Sequence, residues 1–169
     1  MQDCSVIPYS AIGMYTKGGH MKQILVKSVY DAFEYVMDHY YPYGLQEFAM
    51  RKDTYAVISI QDTHTDGFGF TFTQSRLCRR VLTLYFDDIV KEVPGAVLFD
   101  ETMAQQIIDF AKECTDVDTL LIHCYAGQSR SLAIGRFISE IYGLPVQEGN
   151  YNQYVYALLK ETYRRIHQE

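Results

Sequence analysis

A thiol and a guanidinium stand at the two ends of one short loop, His123-Cys124-Tyr125-Ala126-Gly127-Gln128-Ser129-Arg130, which Ser131 follows directly. The pair suits one kind of chemistry. A thiolate attacks the central atom of a tetrahedral oxyanion while a planar fork of N–H donors holds two of its oxygens. An ordinary cysteine is only a few per cent thiolate at neutral pH, so the loop must supply donors that favour ionised sulfur, and free amides at a helix N-terminus beside a guanidinium do so. The backbone N–H groups of Tyr125, Ala126, Gly127, Gln128, Ser129 and Arg130 can line a concavity around the anion, with Gly127 turning the chain without a clashing Cβ. Ser131 can donate to the Cys124 sulfur, which helps most when sulfur departs. In an extended strand His123 points to the face opposite Cys124, so it reads as a group that orients the loop and not as the base.

The elements around the loop must hold these groups in place. Thr119-Leu120-Leu121-Ile122 before it and Leu132-Ala133-Ile134-Gly135-Arg136-Phe137-Ile138 after it read as strand, tight turn and helix start. Val6-Ile7 is a short candidate edge strand, and Ile24-Leu25-Val26 leads into Ser28, a helix cap, with Val29, Ala32, Phe33, Val36 and Met37 on the stripe of a helix over 29–41. Strands are expected at 55–60 and 80–85, with a polar glycine-containing loop from Asp62 to Gly69 between them. Asp100 caps a helix running to about Cys114, Gly143 stops the helix that follows Ser131, and Asn150 starts a last one. Alternating strands and helices predict an α/β three-layer sandwich: a mostly parallel central sheet flanked by helices, the loop lying outside a strand's carboxyl end. Strand order stays open.

Size and charge narrow the class. The 169 residues, 48% of them hydrophobic, fit a single domain over 1–169 with a full core. A net charge of −6 and a pI near 5.3 argue against a broad basic surface, so no nucleic acid partner is expected, although a local anion pocket is compatible. No stretch approaches eighteen apolar residues, and the start, with Asp3, Cys4 and Pro8, does not read as a secretory signal; a cytoplasmic monomer with no membrane partner is expected. Cys4, Cys78, Cys114 and Cys124 lack metal-ligand spacing, and the histidines and carboxylates form no recognisable cluster, so neither metal nor other cofactor is expected. Most of the fifteen tyrosines sit among apolar neighbours and read as core and rim packing, with a groove-lining role as the alternative.

The run His123-Cys124, five intervening residues, then Arg130-Ser131 resembles the signature loop of the cysteine-dependent protein tyrosine phosphatase superfamily, in particular its small dual-specificity-like branch. The resemblance implies a dual-specificity-phosphatase-like fold, a phosphocysteine on Cys124, a phosphoryl group held by Arg130, and thiolate departure assisted by Ser131. It also implies a general acid on a separate loop. Leu82-Thr83-Leu84-Tyr85-Phe86-Asp87-Asp88-Ile89 ends a strand with two carboxylates, 37 and 36 residues before Cys124. Asp88, farther beyond the strand, is the first choice, Asp87 the alternative, and Asp100 a weaker claimant because it already caps a helix. Tyr125 departs from the usual pattern as a bulky residue directly after the nucleophile.

The expected substrate is a phosphorylated protein or a small phosphate ester, phosphotyrosine first and phosphoserine or phosphothreonine next; inorganic phosphate or sulfate can occupy the loop. A sulfurtransferase or an arsenate reductase could use a similar cysteine and arginine. A phosphate-binding interaction domain without turnover is the alternative from a different class.

Overall fold

The computed structural model describes residues 21–42, 52–64 and 68–168; Cys4 and the Val6-Ile7 candidate strand lie outside them. In chain order the elements are β1 (Gln23–Ser28), α1 (Val29–Tyr40), β2 (Tyr55–Gln61), β3 (Cys78–Tyr85), α2 (Glu101–Glu113), a short 3-10 turn (Cys114–Asp116), β4 (Thr119–Cys124), α3 (Arg130–Tyr142) and α4 (Gln153–Ile166). The four strands pair in the order β1-β4-β2-β3, every pair parallel. All carboxyl ends therefore share one edge, and the Cys124 loop leaves from a strand with a neighbour on each side.

The inner strands are buried along their whole length because both of their faces are covered. All seven residues of β2 are buried, and successive ones divide between two clusters: Ala56, Ile58 and Ile60 on one face, Tyr55 and Val57 on the other. In β4, Leu120, Ile122 and Cys124 join the first face and Leu121 the second. Helix α1 covers the second face with Ala32, Val36 and Tyr40, whereas α2, α3 and α4 pack over the first with Ile107, Ile108, Ile134, Phe137, Val155 and Leu159 among others. Each such aliphatic side chain contributes about 1.5–3 kcal/mol on leaving water. The result is the expected three-layer α/β arrangement with a parallel central sheet.

Helix ends follow local chemistry. Ser28 Oγ accepts from Asp31 N (3.1 Å), Asp100 Oδ1 from Met103 N (2.8 Å), and α3 closes on Gly143 in the left-handed conformation, φ 64°. Two expectations need correction. Helix α4 starts after Asn152, whose Oδ1 accepts from Val155 N at 3.0 Å, and not from Asn150. Phe33 is 44% exposed, because the stripe that meets the sheet runs through Val29, Ala32, Val36 and Tyr40 and leaves Phe33 beside it, against Phe70 with ring centroids 4.9 Å apart. Among the described residues no helix is long and apolar enough to cross a membrane.

Candidate active site

Between the end of β4 and the start of α3 the chain folds back under its own helix. Gly127 sits at φ 69°, and a Cβ there would overlap the backbone of Lys27 and Ser28, so both conformation and space call for glycine. Its amide then points at the Cys124 sulfur, N to Sγ 3.2 Å, and Ser131 Oγ lies 3.1 Å from the same sulfur. Cys124 is 2% exposed, on the floor of the loop. The Tyr125 carbonyl accepts from Val29 N at 3.1 Å, which ties the loop to the first turn of α1. The side chains of Ala126 and Gln128 are exposed, as is the Tyr125 ring, which meets Tyr30 edge-on (6.4 Å) and Phe68 (5.8 Å) at the rim.

Arg130 opens α3 and is buried. Its Nη1 donates to the Phe86 carbonyl at 2.8 Å and forms an ion pair with Asp62 Oδ1 at 2.7 Å; its Nε is buried without a partner among the described residues. Phe86 and Asp62 follow the carboxyl ends of β3 and β2, so the sheet edge, not the loop alone, sets the guanidinium plane.

The adjacent carboxylates take opposite positions. Asp87 is 6% exposed and accepts from Thr63 Oγ1 (2.5 Å), Val97 N (2.7 Å) and Thr63 N (3.4 Å), with His64 Nε2 at 3.5 Å. Burial pushes its carboxyl up, but these hydrogen bonds and the His64 charge outweigh burial and hold it below the usual carboxylate range. Thr63 and His64 lie just past the end of β2, and Val97 lies in the loop between β3 and α2. Asp88 is exposed and faces the Cys124 loop, its Oδ1 accepting from Ser129 Oγ (2.8 Å) and Asn152 Nδ2 (2.9 Å). Ser129 thus spends its hydroxyl on Asp88 and makes no side-chain cap for α3. Asp100 caps α2.

His123 lies on the other face of β4, fully buried, with Phe68 and Phe72 rings 6.0 and 5.5 Å away. Its Nδ1 is 3.3 Å from the Cys124 carbonyl, which can only accept, so Nδ1 carries the proton. Nε2 then accepts from Ser59 Oγ (2.7 Å), whose oxygen takes a hydrogen bond from Gln61 Nε2 (2.9 Å). Burial above all, opposed by the Cys124 hydrogen bond and reinforced by the Arg130 charge, pushes the imidazole pKa down to about 4. A neutral ring at pH 7 braces the Cys124 carbonyl.

Sequence reasoning missed Asp62, Ser59 and the Asn152 side chain as neighbours of the site. In the sequence Asp62 reads only as the start of a polar loop. The missing signal was strand order: once β2 is known to lie beside β4, with Ser59 in register with His123, the residue after Gln61 must emerge near the loop. The pairing of Asn152 with Asp88 had no sequence signal, since 64 residues separate them. Among the described residues no group of three or more His, Cys, Asp or Glu could hold a metal ion. The other described cysteines, Cys78 and Cys114, are buried and free, and burial raises their pKa values to about 11 and about 12.

No family model and no curated protein matches this chain. A solved structure titled human tyrosine phosphatase-like serine/threonine/tyrosine-interacting protein is similar over 69% of this chain and 80% of that one, at 24% identity and a TM-score of 0.40. The functional reading therefore rests on the geometry of the Cys124 loop itself.

Proposed function

We propose that this protein is a cysteine-dependent phosphatase that hydrolyses phosphate monoesters through a phosphocysteine, with phosphotyrosine in proteins as the first candidate substrate and phosphoserine or phosphothreonine next. One observation carries the reading: the Cys124 sulfur receives the Gly127 amide and sits beside the Ser131 hydroxyl, at the mouth of a helix whose first residue is Arg130. In the first step the Cys124 thiolate attacks phosphorus, the ester P–O bond breaks, and the leaving oxygen takes a proton from Asp88. Loop amides and Arg130 hold the three non-bridging oxygens as charge redistributes. In the second step water attacks the phosphocysteine and returns its proton to Asp88, the P–S bond breaks, and the departing thiolate is met by Ser131. His123 touches neither substrate nor reacting atom and acts through the backbone of Cys124.

Asp88 is preferred to Asp87 because Asp87 is buried and saturated by scaffold donors, whereas Asp88 is exposed and bonded to Ser129 of the loop. The test is phosphate release from an aryl phosphate without added thiol, followed by a panel of phosphotyrosine, phosphoserine and phosphothreonine peptides. A requirement for thiol or for a sulfur donor would point instead to an arsenate reductase or a sulfurtransferase.

A phosphate-binding interaction domain without turnover is the second reading. It is favoured by the ion pair between Arg130 and Asp62 and by the two donors already on Asp88 Oδ1, which leave both groups engaged within the protein. Stable phosphopeptide binding with no phosphate released would establish it.

A further inference from the structure

We infer that Asp62 is a positioning residue that selects which edge of the Arg130 guanidinium faces the anion. The inference rests on the reading of the Cys124 loop as a phosphate site, and it holds for a catalyst or a binding module alike. A guanidinium carries five N–H donors in one plane, two on each Nη and one on Nε. Here Nη1 donates to the Phe86 carbonyl (2.8 Å) and is ion-paired with Asp62 Oδ1 (2.7 Å). Nε is buried with no partner among the described residues. A buried cationic donor left unpaired is costly unless a ligand completes it.

With Nη1 committed to the sheet edge, the fork left for two parallel hydrogen bonds to an oxyanion is Nε with Nη2. Phe86 contributes only a backbone carbonyl, so Asp62 is the side chain by which this orientation can be changed. Its own place is set by the sheet, since it directly follows Gln61 at the end of β2, beside β4.

Two effects of Asp62 oppose each other. Its oxygen beside Nη1 holds the guanidinium in place, which favours anion binding; its negative charge near the pocket disfavours it. At 27% side-chain exposure solvent screens part of the charge, and alignment is the larger effect. Asparagine separates the two because it keeps an acceptor oxygen and lacks the charge.

Orthovanadate and inorganic phosphate affinities of the full chain, measured by calorimetry for wild type, Asp62→Ala and Asp62→Asn, test the assignment. Losing one charge-assisted alignment should weaken binding about 10- to 100-fold in D62A, whereas D62N should stay within about threefold of wild type or bind more tightly. Equal or tighter binding by D62A would overturn the assignment and make Asp62 a competitor of the anion; equal loss in D62A and D62N would overturn it in favour of a charge effect. Should D62A fail to fold, Asp62→Leu, similar in size and without an acceptor, is read in its place against D62N. Turnover enters separately: a wild-type chain that binds vanadate but releases no phosphate from aryl esters defeats the phosphatase reading, and the binding series still decides the role of Asp62.

Discussion

His123 and Asp87 on one side, Cys124 and Asp88 on the other, are two pairs of sequence neighbours divided between two regions. The scaffold region beneath the sheet edge is buried and saturated: His123 has Ser59 and the Cys124 carbonyl, Asp87 has Thr63 and Val97. The loop region holds groups with capacity to spare: a sulfur with one amide and one hydroxyl, an arginine whose Nε has no partner among the described residues, an exposed aspartate. His123 and Cys124 differ this sharply because extended backbone sends successive side chains to opposite faces, whereas Asp87 and Asp88 lie past the end of β3, where the chain bends between them and Ile89. The scaffold side should therefore govern stability and the loop side turnover.

The largest effect expected is on the loop side. Cys124→Ser should lower phosphate release by more than about 10⁴-fold while leaving the thermal unfolding transition within a few degrees of wild type. Near-parental hydrolysis by C124S would end the covalent assignment and collapse the contrast between the regions.

The aspartate pair sharpens the division further. Asp88→Asn should slow esters with poor leaving groups by about 10²–10⁴-fold and those of strongly acidic phenols far less, since only the former need a proton on departure. A series of aryl phosphates graded by phenol acidity reads this slope. If D87N and not D88N changes it, the acid belongs to the scaffold side; if neither does, Asp100 is next.

On the scaffold side the signature is a pH dependence of stability. The folded chain keeps His123 neutral down to about pH 4, whereas the unfolded chain protonates it near 6.5, so the unfolded state binds more protons between those values. Stability from the neutral ring is complete above pH 6.5 and is lost as pH falls toward 4, by about 3 kcal/mol. Urea unfolding at pH 7.5 and 4.5 should show this loss in wild type and a smaller one in His123→Gln. Equal losses in both proteins would remove His123 from the account.

The smallest effect expected belongs to Asp87. Asp87→Ala leaves Val97 N and Thr63 Oγ1 without their acceptor and should cost about 2–3 kcal/mol in unfolding free energy. Its folded pKa lies below the unfolded one, so that contribution is present above about pH 4 and is lost as pH falls through the lowered value. A D87A chain as stable as wild type, measured by urea unfolding at pH 7, would show that water replaces the carboxylate at no cost.

Much of this molecule was legible in the chain alone. Short apolar runs located the strands and period-3.6 patterns the helices, because a strand covered on both faces reads as a continuous run and a helix covered on one face as a stripe. Ser28, Asp100 and Gly143 were readable as helix ends, since capping is satisfied within a few residues. Cys124, Gly127, Arg130 and Ser131 stood out for the same reason: a loop that closes on itself keeps its members in one short run. Tertiary structure alone decided which strand lies beside β4, and with it the approach of Asp62 to Arg130, of Ser59 to His123, and of Asn152 to Asp88. It alone also separated Asp87 from Asp88. These contacts join segments up to 68 residues apart, and strand order depends on how two layers of helices pack over a shared sheet, a property that no local spacing encodes.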